Sequence, residues 1–137
     1  MPEIVQQQPD IDSALYALDA ASELLNAAAE KLSQKDYTTA FSTSRDCMRI
    51  AISALLFRDG VIAPTFEATE EYLERHYPDK LPLKDWHSIE NTCTGEGSGL
   101  FNMIIRATRK PTDKNEAKHA VGIAKEFVKN IMELVML

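Results

Sequence analysis

The chain has 137 residues, a formal net charge of −6, 45% hydrophobic residues, and only 5 Gly and 6 Pro. One domain of ordinary globular composition accounts for this length, and a chain of this size buries enough surface to fold without disulfide staples. The acidic sum excludes a protein that coats nucleic acid with positive charge, but it leaves room for a local basic site.

The two cysteines, Cys47 and Cys93, form no CxxC and have no clustered histidine. A reduced cytosolic protein is the expectation. Residues 1–9, MPEIVQQQP, carry neither a basic start nor an apolar run, so no signal peptide is expected, and residues 1–11 read as a flexible lead. No apolar stretch reaches the roughly 20 residues of a membrane span. The expectation is a cytoplasmic protein with a single domain over residues 12–137.

Helical periodicity then runs along the chain. In the first segment Leu15, Leu18, Ser22, Leu25, Ala29 and Leu32 recur at spacings of three and four, widened by Ala14, Ala21 and Ala28. Asp12 or Ser13 is expected to cap its start, and its end falls near Ser33–Lys35. Asp36 is placed to cap a second helix whose stripe is Phe41, Ser44, Met48, Ala51 or Ile52, and Leu55. Gly60 ends it in the left-handed position that favours glycine. This helix is apolar over a wide arc and should be the most buried.

A shorter acidic helix opens at Pro64-Thr65 and runs to about His76, with Thr65 or Thr69 as cap. A fourth stretch runs from about Leu83 to Cys93, its start anchored by Trp86, the chain's one tryptophan. The glycines of Gly95-Glu96-Gly97-Ser98-Gly99 predict a break, at about 1 kcal/mol each in a helix interior. Helix resumes at Leu100, with Met103, Ile104 and Ala107 on its stripe, and ends before Pro111. Thr112 or Asp113 caps the last helix, whose face is Ala117, Ala120, Ala124, Phe127, Ile131 and Leu134, broadened by Val121, Val128 and Val135. No strand alternation is evident. The expected fold is all-α, an antiparallel up-and-down bundle of five to six helices. The wide apolar faces of the second and fourth helices suit a dimer interface and a monomer core equally.

Motifs for chemistry are sparse. GEGSG lacks the Lys of a phosphate-binding loop and the preceding strand of a dinucleotide fingerprint. Glu116 and His119 have the Glu-x-x-His spacing of di-iron bundles, but that site needs a second such pair and two further glutamates. A capping turn is the better reading. His76 and His87 show no zinc spacing. Ser44 and Ser53 lack a nucleophile elbow and read as packing residues, and Cys47 as an inert core thiol. No cofactor and no metal is expected.

Charge is more informative by segment. Residues 1–33 and 61–98 sum to −5 each, whereas residues 34–60 sum to +1 and residues 99–137 to +3. Arg45 and Arg49 lie four apart on the second helix, and Arg106, Arg109 and Lys110 cluster before Pro111. Packed together, these five would form a basic groove whose guanidinium forks suit phosphate oxygens. The alternative is that Arg45 or Arg49 pairs with Asp46 or another acidic neighbour.

The pattern Asp36-Tyr37-x-x-Ala40, Ser44, Ala54-Leu55-Leu56-x-x-x-Gly60 resembles the second helix of the HEPN domain family (higher eukaryotes and prokaryotes nucleotide-binding). Arg106, a turn, and then Glu116-Ala117 through Ala124-Lys125-Glu126-Phe127 resemble the family's closing segment. The resemblance spans roughly residues 12–136. It implies an antiparallel helical bundle, commonly a homodimer, and in many members a metal-independent ribonuclease, often a toxin. The family's nuclease motif is Arg, four to six residues, then His. Only Arg106 maps; positions 111–113 are Pro111, Thr112 and Asp113, no Tyr occurs in 107–137, and His119 lies 13 residues beyond Arg106. Proton transfer near neutral pH has no obvious carrier there. The resemblance therefore implies a non-catalytic dimeric binding or adaptor module for a nucleotide, an RNA or a partner protein such as a nucleotidyltransferase. Arg106, Arg109, Lys110, Arg45 and Arg49 are its candidate contacts. A divergent toxin-type ribonuclease using Arg106 and a purely structural helical dimer are the alternatives.

Overall fold

The computed structural model describes residues 4–92 and 112–136, with the side chain of Thr92 left aside. Five helices and one two-stranded ribbon make up the described residues: β1 (Val5–Gln6), α1 (Ile11–Ser33), α2 (Tyr37–Asp59), β2 (Val61–Ile62), α3 (Phe66–His76), α4 (Leu83–Thr92) and α5 (Lys114–Val135). The expected glycine break at 95–99 and the helix at 100–110 lie outside the described residues, as does Cys93.

Helix ends follow from local chemistry. An N-terminal turn leaves backbone N–H groups without helical acceptors, so an oxygen-bearing side chain stabilises the start. The Asp36 carboxylate accepts from Thr39 N–H, the Thr65 hydroxyl from Ala68 N–H, and Asp113 from Glu116 N–H, with the Glu116 side chain accepting from Asp113 N–H in return. The cap of α1 is Asp10, which accepts from both the backbone and the hydroxyl of Ser13, rather than Asp12 or Ser13. Those two bonds hold the Asp10 carboxyl below its ordinary range, the hydroxyl bond contributing most. Gly60 closes α2 at φ 68° and ψ 44°, as its type suggests.

Helix α2 is the central element. It packs along α1 on one side and α5 on another, and α1 also meets α5, giving a three-helix core. Its expected stripe is buried throughout: Phe41, Ser44, Met48, Ala51, Ile52 and Leu55. The expected face of α5 is likewise buried from Ala117 to Ile131, with Leu134 half-buried. On α1 the buried arc is rotated from expectation. Ala14, Ala17, Leu18, Ala21 and Ala28 are inside, while Leu15 and Ala29 are exposed. Small alanine side chains let α2 approach closely, so the contact line follows them and swings Leu15 outward. The broad apolar face of α2 serves the core of a single chain.

The N-terminal segment also departs from the expected flexible lead. Val5 pairs with Ile62 and Gln6 with Val61, antiparallel. Gln7 N–H donates to the Gly60 carbonyl at 2.7 Å, and Asp10 N–H to the Phe57 carbonyl at 2.9 Å. A two-residue ribbon is too short to show an alternating pattern, which is why no strand was legible. Trp86 is buried against Phe127, ring centroids 6.3 Å apart, and seats α4 on α5.

Candidate functional site

The candidate site grows from the face of α2 that carries Arg45, Arg49 and Ser53, one helical turn apart. Arg45 is buried, 7% exposed, and its Nε and Nη2 donate to Asp46 Oδ1 at 3.3 and 3.1 Å. Arg49 makes a two-pronged ion pair across to α4, Nε to Glu90 Oε1 at 2.9 Å and Nη2 to Glu90 Oε2 at 2.7 Å. Such a fork is geometrically specific and stronger than a single contact. It raises the Arg49 guanidinium above its already high ordinary value, the Glu90 hydrogen bonds contributing most, so Arg49 stays charged. The Glu90 side chain is only 6% exposed while that of Arg49 is 49% exposed. A carboxylate so covered depends on its partner, since an unpaired buried charge is costly.

Both arginines therefore have acidic partners within the chain, the alternative weighed for them from sequence. Arg106, Arg109 and Lys110 lie outside the described residues. Ser53 donates back to the Arg49 carbonyl and Ser44 to the Ala40 carbonyl, so neither hydroxyl is set up as a nucleophile. Cys47 is a buried free thiol that donates to the Ala21 carbonyl, and burial pushes it up to about 12. Thiolate chemistry is thereby suppressed.

The histidines sit on the surface. His87 lies on α4 with its Nδ1 against Glu70 Oε2 of α3, and His119 on α5 has Nε2 3.8 Å from Asp85 Oδ1 of α4. Glu116 belongs to its capping box, as expected for a surface turn. His76 ends α3 with its ring 4.4 Å from that of Tyr72. Among the described residues no group of three or more His, Cys, Asp or Glu is arranged to hold a metal, and no helix is long and apolar enough to cross a membrane.

Two groupings were not legible in the sequence. One is the Arg49–Glu90 pair, whose members are 41 residues apart. The other joins the end of α2 to α3: Asp59 Oδ2 accepts from Tyr72 Oη at 2.8 Å and Tyr77 Oη at 2.5 Å, while Oδ1 accepts from Arg58 Nη1 at 3.1 Å. Burial first, and then the bond to Asp59, pushes Tyr77 up to about 12 and raises Tyr72 as well. A carboxylate beside a helix-ending glycine, followed by two tyrosines, was the only hint. Beside the Arg49–Glu90 pair, α2, α3 and α4 enclose a cavity of about 310 Å³ with Ile52, Leu56, Phe66 and Trp86 on its walls.

The site is thus a charged pair set into a cleft of a helical bundle whose walls mix apolar side chains with Ser53 and Thr69. The chain matches the family model of the HEPN domain over residues 14–134. That is nearly its whole length, and the chain belongs to the HEPN domain family. No curated protein and no solved structure matches it. The bundle agrees with the family's all-α fold.

Proposed function

We propose that this HEPN domain is a non-catalytic binding module. In this reading it works as a cytoplasmic homodimer and engages a nucleotide, an RNA or a partner protein such as a nucleotidyltransferase through a small basic cluster. One observation carries the proposal. A chain that belongs to the family over residues 14–134 has Pro111, Thr112 and Asp113 where the nuclease histidine would stand relative to Arg106. Pro has no proton to exchange, and a Thr hydroxyl is a poor base near neutral pH. Asp113, for its part, is engaged in capping α5. Arg45 and Arg49 are already paired, so the contact with an anion falls chiefly to Arg106, Arg109 and Lys110.

The test is a titration with mononucleotides and short RNA, comparing the wild type with Arg106→Ala. Weakened binding in the variant supports the nucleic-acid version, and no binding by either protein leaves the protein-partner version. Incubation with labelled RNA at high protein concentration checks the non-catalytic claim. Cleavage that persists with chelator and is lost in Arg106→Ala would establish a divergent ribonuclease instead.

A further inference from the structure

The broad apolar face of α2 is occupied by the core of its own chain, so a second copy must meet a different surface. Helices α1 and α5 carry one. At about 100° of turn per residue, Asp12, Asp19, Glu23 and Glu30 fall on one stripe of α1 about 40° wide. By the same turn, Lys114, Lys118, Lys125 and Lys129 fall on one stripe of α5 about 60° wide. All eight side chains are exposed, and none makes an ion pair among the described residues. A solvated helix face ordinarily mixes signs, because like charges four residues apart repel. Asp19 with Glu23, Lys114 with Lys118, and Lys125 with Lys129 are such pairs. The acidic residues of α5, Glu126 and Glu133, stand about 70–90° round the helix from the middle of the lysine stripe. They lie on the side of His119, whose Nε2 is near Asp85 of α4.

The two stripes also match in spacing. The carboxylates are 7, 4 and 7 residues apart, and the lysines 4, 7 and 4. At a rise of about 1.5 Å per residue, the carboxylates stand at about 0, 10.5, 16.5 and 27 Å along α1, and the lysines at about 0, 6, 16.5 and 22.5 Å along α5. A shift of about 2 Å brings every lysine within about 3 Å of the level of a carboxylate. Apolar residues set the sense of the pairing. Met132 and Met136 extend the lysine stripe at the C-terminal end of α5, and Ile11 and Leu15 flank the first carboxylate of α1; all four are exposed. Antiparallel helices lay these ends together, with Tyr16, 78% exposed, close by. We infer that α1 of one copy docks antiparallel on α5 of a second copy, Asp12 opposite Lys129, Asp19 opposite Lys125, Glu23 opposite Lys118 and Glu30 opposite Lys114. The contact is reciprocal, because each chain carries both stripes. A polyanion would answer the lysines and be repelled by the carboxylates, whereas a second copy answers both. The inference rests on the homodimer of the proposed function and names the surface that forms it, apart from the Arg106 cluster.

Exposed ion pairs are weak singly and are screened by salt. Sedimentation of the full chain is expected to show a dimer at about 50 mM salt that dissociates at about 500 mM. Reversing one stripe, by Asp19→Lys with Glu23→Lys or by Lys118→Glu with Lys125→Glu, should weaken self-association at least about tenfold. The first reversal brings the net charge of −6 closer to zero, so relief of general repulsion would strengthen association instead. An equimolar mixture of the two reversed proteins should dimerise again, since each offers the other the stripe it needs. Circular dichroism identifies the folded variants. Asp19→Asn with Glu23→Gln, and Lys118→Gln with Lys125→Gln, are milder changes that should weaken association in the same direction. A dimer that withstands salt and both reversals, or folded reversed proteins that stay monomeric when mixed, would overturn the stripe contact while the homodimer stands. A wild type that is monomeric throughout would overturn both, and loss of RNA binding in its lysine variant would give that stripe to a polyanion. Arg106→Ala should leave the dimer intact, so ligand binding and self-association fail separately.

Discussion

Replacing Gly60 by alanine should be among the most damaging single-methyl changes in this chain. Gly60 sits at φ 68°, where an L side chain costs about 1–2 kcal/mol. A Cβ there would also lie 2.3 Å from the Gln7 carbonyl oxygen and 2.9 Å from the Pro9 nitrogen. Both are backbone atoms, so no rotamer change relieves the clash, and the segment before α1 must lift. Lifting breaks the Gln7-to-Gly60 and Asp10-to-Phe57 hydrogen bonds, each worth about 0.5–1.5 kcal/mol net. The expected loss is about 2–5 kcal/mol, combining the dihedral and hydrogen-bond contributions. Urea unfolding followed by circular dichroism measures it, and hydrogen exchange at the Gln7 and Asp10 amides tests its origin. Gly122→Ala is the internal control: it lies within α5 with nothing within 4 Å of a new Cβ. There the same substitution should stabilise by about 0.5–1 kcal/mol through helix propensity. A Gly60→Ala protein within about 0.5 kcal/mol of wild type, with both amides still protected, would refute the reasoning.

Three further outcomes are expected. Asp113→Ala removes the capping box of α5 and should cost about 1 kcal/mol, read as a lowered thermal midpoint. Tyr77 rises from 10.0 to about 12 on folding, so between these values the folded chain holds more protons than the unfolded one. Stability conferred by that shift is complete below pH 10 and should decline as pH rises through 12, and Tyr77→Phe should flatten this slope in alkaline denaturation. Cys47, fully buried, should react with a thiol reagent only as the protein opens, its rate following denaturant concentration. Rapid labelling under native conditions would contradict that burial.

Element type and most helix boundaries follow from short-range rules. Asp36, Thr65, Gly60 and Asp113 mark helix ends because capping and left-handed glycine geometry depend on neighbours three or four residues away. The stripes of α2 and α5 follow from the 3.6-residue period, which is equally local. The membership of the HEPN family was readable for a similar reason, since the pattern from Asp36 to Gly60 lies within α2 and its two caps and the pattern from Glu116 to Phe127 lies within α5.

What the amino-acid order determined by itself is therefore the helices, their caps, the inward faces of α2 and α5, and the segregation of charge into acidic and basic stretches. Only the tertiary structure decided which part of the wide apolar arc of α1 turns fully inward, because its leucines and the alanines beside them are all apolar and the close approach of α2 sets the contact line along Ala14, Ala17, Leu18, Ala21 and Ala28. The packing likewise brought Glu90 to Arg49 across 41 residues, and Tyr72 and Tyr77 to Asp59. Periodicity carries no information about pairs so far apart in the chain. Their partnership arises when helices meet at particular angles and a buried carboxylate must find a donor.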